Sequence, residues 1–497
     1  MSRFRIVVVG GGLAGIAAAL EAAGQGAEVV LLERRTKLGG LTWSFRRAGR
    51  WFDNGQHVFL RCCTAYRGFL DRIGASGLVR LQRQLEVPVL APSGTRATIA
   101  RSRGLPAPLH LGPSLVRYAH LSMRERLCAV RAVRALCALD LDDPALDSMT
   151  LEHWLERHGQ SPQAIDRLWN LVALPTINLP ASDASAAQGA MVFRTGLLDR
   201  ADAGDIGWSI VPLGFLHGDR SMDALDQAGV EVVLGAAVTG VEAHGPSRRL
   251  SVHPGDRTHV ADAVIVATPP GTAQELLGSA VLPGVEHLGA SPIVNVHLVL
   301  DRQVTDLAFF ACVDSPLQFV FDRTEAAHWL PPVGAEAEGA TRERASMSSR
   351  SGRGPMGAAN REQCLSVSLS AADALIGRRP ADLIGSMFEA LRALLPGARR
   401  AELIDAVVTR ERAATFRATP GIAKWRPGPR TRLEGVYVAG AWCRTGWPAT
   451  MEGAVRSGIE AAREALALGR APASSPGVAA GEGLAVRKVG EQAMVAR

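Results

Sequence analysis

Three segments at the start of the chain differ in their pattern of apolar residues. Arg5–Val9 is a β-branched run, Leu13–Ala23 is rich in Ala and Leu, and Glu28–Leu32 is a second β-branched run. These patterns predict strand, helix and strand within about thirty residues, which is a βαβ unit. Two early arginines before the first apolar stretch imitate a secretory signal. A glycine triplet interrupts that stretch, so we interpret residues 1–23 as folded structure.

The later chain alternates between helical and strand patterns and contains two segments without periodicity. Helical patterns cover 122–139, 150–173 and Thr450–Leu468, and strand patterns cover 230–241, 262–267 and Val436–Ala439. Residues 331–361 are rich in Pro, Gly, Ser, Ala, Glu and Arg, which predicts a flexible insertion loop; the Ala/Gly/Pro/Ser-rich residues 470–497 predict a disordered tail. No run of 18 apolar residues occurs, so no membrane-spanning helix is predicted.

Length and composition indicate a folded protein of two or three domains. The 497 residues exceed what one compact core usually holds, and 47% of them are hydrophobic. The seven cysteines are odd in number and contain no C-x-x-C pair. They indicate neither a disulfide framework nor a zinc site, and they are typical of the reducing cytosol.

The net charge of +7 is carried almost entirely by arginine, since only three of the 55 cationic side chains are lysine. A genomic preference for arginine codons is one explanation, and an anionic membrane surface is another. No compact basic tract with interleaved aromatic residues occurs, so we expect no nucleic-acid partner.

The first chemical motif is the segment Gly-Gly-Gly-Leu-Ala-Gly at residues 10–15, between the first strand and the helix. Gly10 permits the tight turn, Gly12 lets the backbone approach a pyrophosphate, and Gly15 lets the helix pack close to the strand. Glu33 follows Gly10 by 23 residues, at the end of the second strand. A carboxylate there can accept both ribose hydroxyls and repels a 2′-phosphate, so the segment predicts a dinucleotide site.

A second match to the same glycine spacing occurs at Gly352–Gly357. It follows no strand pattern and precedes no helical pattern, so the mechanism of the motif is missing. Nothing else in the sequence indicates a separate nicotinamide domain.

Further candidate residues follow the βαβ unit and end the chain. The pair Gly39-Gly40 predicts backbone pressed against a ligand or a neighbouring segment. His57, in the segment Asp53–Phe59, is either a general acid beside a cofactor or a hydrogen-bonded core histidine. Near the end, a buried strand closes in Gly440 and a Pro-initiated helix follows, whose positive N-terminus could face a bound anion or cofactor.

These motifs resemble the FAD-dependent amine oxidase and phytoene desaturase superfamily over most of residues 1–470. The segments that carry the resemblance are Gly10–Gly15, Glu33, Gly39-Gly40, Val264–Ala267 and Pro448–Gly453. Within the superfamily, three stretches resemble the hydroxysqualene dehydroxylase family: Asp53–His57, Trp169–Ala186 and Trp447–Gly458.

The resemblance implies an α/β fold, in which a Rossmann-like FAD-binding domain is interleaved with an α+β substrate domain. The FAD-binding parts are expected at 1–75, 205–290 and 405–469, and the substrate-domain parts at 76–204 and 291–404.

The resemblance also implies which residues contact FAD. They are Gly10, Gly12, Leu13, Ala14, Gly15, Glu33, Arg34, Gly39, Gly40, Leu41, Gln56, His57, Val238, Gly440, Ala441, Ala449, Thr450 and Met451. The superfamily usually has aspartate where this chain has Ala441, and that aspartate contacts the ribityl and pyrophosphate region. Alanine offers no such hydrogen bond, so FAD is expected to bind more weakly here unless water substitutes.

The implied reaction reduces hydroxysqualene to squalene on the route to hopanoids, by hydride transfer from reduced FAD. An acid must assist the departing hydroxyl; His57 is the better candidate and Asp183 the alternative. Trp43, Trp51 and Phe59 either shield a cation or belong to the core. No metal is expected.

The expected partners follow from this chemistry. An apolar triterpene substrate partitions into bilayers, so Leu105–Leu139 is either an arginine-anchored membrane surface of a cytoplasmic, peripheral protein or an ordinary domain surface. Electrons must come from an external donor. Two alternatives remain: a carotenoid-type desaturase, which runs the flavin chemistry in reverse, and a lipid carrier resembling the Rab GDP-dissociation inhibitors.

Overall fold

The computed structural model describes residues 3–244, 249–255, 257–331 and 362–470. Almost all of the predicted tail and of the predicted insertion, including the second glycine match, lies outside these residues; Arg470, the first residue predicted for the tail, ends a helix. The strands are β1 (Arg5–Val9), β2 (Glu28–Glu33), β3 (Ser44–Arg47), β4 (Arg50–Asp53), β5 (Val58–Leu60), β6 (Val79–Leu81), β7 (Glu86–Leu90), β8 (Arg96–Ala100), β9 (Ile206–Ser209), β10 (Glu231–Leu234), β11 (Val238–His244), β12 (Arg249–Pro254), β13 (His259–Ala261), β14 (Ala263–Val266), β15 (Ser291–Leu300), β16 (Phe309–Cys312), β17 (Phe319–Asp322), β18 (Gln363–Leu369), β19 (Leu403–Thr415) and β20 (Val436–Val438).

Short 3₁₀ and π-helical turns join the α-helices. The α-helices are α1 (Leu13–Gly24), α2 (Thr64–Arg72), α3 (Gly112–Val116), α4 (Met123–Cys137), α5 (Leu151–Arg157), α6 (Pro162–Ala164), α7 (Asn170–Ile177), α8 (Ala186–Phe193), α9 (Arg220–Gln227), α10 (Pro270–Leu277), α11 (Thr324–Ala327), α12 (Pro380–Leu394) and α13 (Met451–Arg470). Among the described residues, none of the helices combines the length and the apolar character that crossing a bilayer requires.

A five-stranded parallel sheet in the order β10-β2-β1-β14-β20 forms the first domain. The predicted βαβ unit is confirmed: β1 has the predicted bounds, α1 extends one residue further, and β2 ends at Glu33. The strands are buried because helices cover the sheet, which explains their continuous apolar sequences. Helices α1 and α13 pack closely, since a Cβ at Gly458 would overlap the carbonyl oxygen of Ala14.

A seven-stranded sheet in the order β19-β15-β18-β17-β16-β7-β8 forms the second domain, and α12 packs against it. Its strands come from chain segments that alternate with those of the parallel sheet, so the two domains are interleaved as expected. β19 pairs with β15 from Leu403 to Thr415. The boundary expected between residues 404 and 405 therefore falls inside a strand, and the pairing places it after Thr415.

Three small sheets accompany the two large ones. The hairpin β3-β4 precedes the segment that contains His57, the sheet β5-β9-β6 follows it, and β11-β12-β13 lies between β10 and β14 in the chain. The first two lie where the chain passes between the parallel sheet and the substrate domain, whereas β11-β12-β13 is an insertion between two strands of the parallel sheet.

The helical pattern predicted over 150–173 is broken in the structure. α5 ends at Arg157, Gly159 adopts φ +75°, and the next helix begins at Pro162 with Ser161 as its N-cap. A glycine in the left-handed region and a proline at the first helical position end one helix and start another. The strand pattern over 230–241 likewise divides at Gly235 into β10 and β11.

Candidate functional site

The turn between β1 and α1 separates the roles of its three glycines. Gly10 has φ +110°, and a Cβ there would lie 2.6 Å from the carbonyl oxygen of Ala267. A Cβ at Gly15 would overlap the Gly10 carbonyl, so the fold itself requires both glycines. Gly12 differs, because its φ of −79° suits any residue and the protein atom nearest to a built Cβ is 3.8 Å away. The missing side chain of Gly12 therefore leaves room for a ligand at the N-terminus of α1.

The pair Gly39-Gly40 lies directly against this turn. The Gly39 N–H donates a hydrogen bond of 2.8 Å to the Gly11 carbonyl. A Cβ at Gly40 would lie 2.8 Å from the Cα of Gly12, and both glycines of the pair have positive φ. Close backbone approach explains both residues and encloses the turn.

Glu33 is buried at the end of β2 and fixes the turn. Its Oε2 accepts a hydrogen bond of 2.6 Å from the Gly11 N–H, and its Oε1 accepts one of 2.8 Å from the Arg35 N–H. An ionised carboxylate has about four acceptor sites, so two remain for ribose hydroxyls. The Arg35 guanidinium donates to the Gly40 carbonyl at 3.0 Å, whereas Arg34 is exposed.

Val238 begins β11, close to the adenosine side of the predicted site. The N–H of Ala236 donates a hydrogen bond of 2.9 Å to the Glu33 carbonyl, and this bond fixes the β10–β11 connection beside β2. The sequence alone gives no reason for this position, since β11 belongs to a different sheet from β2.

The terminal segment meets the same edge of the parallel sheet. Gly440 follows β20 with φ +155°, and its N–H donates a hydrogen bond of 2.8 Å to Ser457 Oγ in α13. The indole N–H of Trp442 donates to the Thr268 carbonyl at 3.1 Å, after β14. Thr450 caps α13, because its Oγ1 accepts a bond of 3.2 Å from the Gly453 N–H. Ala449 and Met451 flank this cap and are partly buried.

Arg426 organises the loop between β20 and α13, and sequence reasoning missed it. The buried guanidinium donates to the carbonyls of Ala441, Trp442, Cys443 and Trp447 at 2.5–3.4 Å. Burial lowers the pKa of Arg426 to about 10. The described residues place no carboxylate in a salt bridge with it. Arginine is common in this chain, so composition gave no signal for this one.

The segment before His57 is joined to both domains through Asn54 and Gln56. The Asn54 side chain donates to the Leu41 carbonyl at 2.8 Å and accepts from the Trp43 N–H at 3.1 Å. Asn295 of β15 accepts from the Gln56 N–H at 3.3 Å. The predicted residues Leu41, Gln56 and His57 therefore lie together, at the contact between the hairpin β3-β4 and the substrate domain.

A buried ion pair and three neutral histidines lie beside this segment. Asp53 accepts from Arg323 at 2.8 Å, and the Asp53 side chain is 7% exposed. His57 keeps part of its surface accessible, but burial lowers its pKa to about 4. Burial likewise lowers the pKa of His297 to about 4 and that of His217 to about 3. All three rings are therefore neutral near neutral pH.

The remaining candidates divide between core and surface. Asp183 forms a surface ion pair of 3.3 Å with Arg417. Phe59 is a core residue that packs on Tyr66, with ring centroids 5.2 Å apart. Trp51 borders a cavity of about 10 Å³, close to the minimum for one water molecule. This cavity is too small for a triterpene.

Comparison with known proteins places the chain in a family. The model of flavin-containing amine oxidoreductases matches residues 13–466, so the chain belongs to this family. A hydroxysqualene dehydroxylase of Rhodopseudomonas palustris is 28% identical, covering 93% of this chain and 99% of that one, and one of Zymomonas mobilis is 24% identical, covering 92% and 98%. The solved structure of cyclohexylamine oxidase from Brevibacterium oxydans has a TM-score of 0.65 at 18% identity and covers 94% of this chain and all of that one.

The fold class and the cofactor follow. The chain has the α/β FAD-binding fold of this family, and it is a flavin-dependent oxidoreductase whose cofactor is FAD. The residues present fit FAD, because the space beside Gly12, the carboxylate of Glu33 and the capped N-terminus of α13 all lie at the carboxyl edge of the parallel sheet, where α/β folds bind nucleotides.

Proposed function

We propose that this enzyme reduces hydroxysqualene to squalene in hopanoid biosynthesis. The observation that carries the proposal is the similarity to two hydroxysqualene dehydroxylases over more than 90% of both chains. The two more specific segments, Trp169–Ala186 and Trp447–Gly458, support the same assignment.

The residues divide the work between binding and proton handling. Bound FAD, when reduced, supplies a hydride to the carbon that loses its hydroxyl. The turn at Gly12 and the carboxylate of Glu33 hold the pyrophosphate and ribose, and the N-terminus of α13 places positive potential beside the cofactor.

His57 is the proposed hydrogen-bond donor to the departing hydroxyl. Its pKa of about 4 makes the protonated ring a strong acid but a rare species near neutral pH. The neutral ring still carries one N–H, so it can donate a hydrogen bond that orients the hydroxyl as the C–O bond breaks, while the proton that converts the departing hydroxide to water comes from solvent. The neighbouring neutral histidines avoid positive charge beside a forming carbocation.

Electrons are proposed to come from a separate reductase or from free reduced flavin. The basis is that the only second glycine motif in the sequence lacks a strand and a helix pattern around it. We also propose a cytoplasmic protein that is peripheral on the inner face of the cell membrane, because the substrate is a hydrocarbon.

Isotope transfer tests the reaction. The holoprotein is reduced in D2O, because the hydrogen on flavin N5 exchanges with solvent, and hydroxysqualene is added in detergent in the same solvent. Deuterium in the squalene formed is the expected result, and unlabelled squalene would contradict direct transfer. Desaturation of a polyene by the oxidised protein with an acceptor would instead indicate a carotenoid-type desaturase.

The variant His57→Gln tests the proposed hydrogen-bond donor. Loaded with FAD to the same extent as the wild type, it should have a lower kcat and the same flavin absorbance spectrum.

A further inference from the structure

Exposed large apolar side chains concentrate on one surface. Of the eleven that the described residues expose, six lie between residues 105 and 130. They are Leu105, Leu109, Val116, Met123, Leu127 and Val130, with exposures of 39%, 63%, 60%, 64%, 64% and 46%. This surface, the 105–130 face, differs from a usual surface, where such side chains are scattered singly.

Helix α4 presents the apolar side chains as one stripe. At about 100° per residue, Met123, Leu127 and Val130 fall within roughly 60° of one another. Ala132 and Leu136, on the opposite side, are fully buried. The helix therefore packs on the protein with one apolar side and exposes another.

Helix α3 is fixed beside α4 and extends the face. The Arg126 guanidinium in α4 donates to the Val116 carbonyl at 2.5 Å and to the Leu121 carbonyl at 3.0 Å. Leu109 precedes α3 in a continuous helical turn. These bonds hold the exposed side chains of both elements on adjacent surfaces.

The charged side chains within this segment are almost all positive. Residues 101–139 contain seven arginines and a single acidic residue, Glu125, whose carboxylate is used in the capping box of α4 and accepts from Ser161. Arg117, Arg124 and Arg131 are exposed, and no salt bridge within the described ranges engages them. An apolar stripe beside unpaired arginines complements a bilayer that carries anionic headgroups.

We propose that the 105–130 face docks the enzyme on an anionic lipid surface, with Met123, Leu127 and Leu109 entering the headgroup boundary and the three arginines contacting headgroup phosphates. The inference rests on the proposed function in one respect: the function explains why docking is needed, because a hydrocarbon substrate must be taken from a bilayer. The docking itself follows from exposure and charge.

Co-sedimentation of the FAD-loaded full chain with vesicles tests the apolar stripe. Phosphatidylcholine vesicles containing phosphatidylglycerol are the probe, at low and at high salt. The variant Met123→Glu/Leu127→Glu should bind at least about tenfold more weakly. The matched control Leu330→Glu/Ile404→Glu alters residues exposed by 61% and 50% elsewhere, and it should bind like the wild type. Equal binding by wild type and Met123→Glu/Leu127→Glu would overturn the proposal.

A second variant tests the arginines. Arg117→Gln/Arg124→Gln/Arg131→Gln should lose about tenfold or more in binding to anionic vesicles. The control Arg399→Gln/Arg400→Gln/Arg412→Gln removes the same charge from other exposed positions and should bind nearly normally. Equal losses of vesicle binding in both variants would show that net charge alone determines binding, and would overturn the proposal of a specific docking face. The wild type could instead fail to bind vesicles and form a dimer that the variant Met123→Glu/Leu127→Glu dissociates. That result would assign the face to contact with a second copy of the chain.

Two substrate presentations separate this inference from the reaction. The docking variants should keep the wild-type rate with detergent-dispersed hydroxysqualene and lose rate with substrate in vesicles. If the wild type forms no squalene in either assay, the proposed reaction fails, while vesicle binding still decides the docking face.

Discussion

The carboxylate of Glu33 accepts a hydrogen bond of 2.6 Å from the backbone N–H of Gly11. This bond joins the end of β2 to the turn between β1 and α1, so one side chain both shapes the turn and remains available to a ribose. The two ends of a βαβ unit are thereby fixed relative to each other before FAD binds.

Replacing Glu33 should weaken FAD binding. Glu33→Ala removes a charged acceptor, and a hydrogen bond to a charged group contributes about 1.5–3 kcal/mol, so the Kd for FAD should rise roughly tenfold to a hundredfold. Fluorescence titration of the flavin-free protein measures the Kd. Glu28→Ala, at the exposed start of the same strand, is the control. Unchanged affinity in Glu33→Ala would remove the residue from the adenosine site.

The glycines of the turn should respond differently to alanine. Gly12→Ala should leave the thermal midpoint of the flavin-free protein unchanged, because its Cβ meets no protein atom closer than 3.8 Å, yet raise the FAD Kd by at least about tenfold. Gly15→Ala should unfold or fail to accumulate, since its Cβ overlaps the Gly10 carbonyl. Full flavin occupancy in Gly12→Ala would show that the pyrophosphate lies elsewhere.

Restoring the superfamily aspartate tests the departure at residue 441. Ala441→Asp should tighten FAD several-fold, because the carboxylate can accept ribityl hydrogen bonds and the buried Arg426 nearby offsets its charge. Ala441→Asn matches the shape without the charge and should have a smaller effect. If Ala441→Asp instead releases flavin, the pocket has diverged from the superfamily and buries an unpaired charge.

Breaking the ion pair beside His57 should cost considerable stability. Asp53→Asn leaves the buried Arg323 guanidinium without its counter-ion, which lowers the free energy of unfolding by about 3–5 kcal/mol. The exposed pair Arg379–Asp382 provides the comparison, and Asp382→Asn should lower it by about 1 kcal/mol or less. Urea denaturation measures both. Similar effects of the two variants would contradict the burial of the first pair.

Stability should fall as the pH drops below about 6.5. His57, His297 and His217 have folded pKa values of about 4, 4 and 3, below the ordinary 6.5, so the unfolded chain binds protons that the folded chain does not. Between about pH 6.5 and the folded pKa of each ring, each histidine should lower the free energy of unfolding by about 1.4 kcal/mol per pH unit. Above about pH 6.5 this effect should be absent.

Urea denaturation across that pH range measures the slope. His297→Gln should reduce this slope by the contribution of one histidine, whereas replacing the exposed His153 in His153→Gln should leave the slope unchanged. A slope that stays the same in His297→Gln would contradict a neutral buried ring.

Local periodicity was sufficient to predict the βαβ unit that begins the first domain and the strand and helix that end it. The bounds of β1 and β2, the start of α1 at Leu13 and the glycine turn are set by neighbouring residues, because apolar period and backbone freedom act over a few positions. The same local signals predicted the terminal strand and α13 within one or two residues.

Tertiary structure decided the rest of the site. Asp53 and Arg323 are 270 positions apart, and Asn54 and Asn295 meet only because β15 passes the hairpin β3-β4. The neutral state of His57 is a consequence of burial that its neighbours in sequence do not reveal. The sequence alone thus determined the dinucleotide turn and its family, while the chain crossings between the domains determined which charges are buried beside it, since burial and long-range pairing depend on segments that local patterns cannot relate.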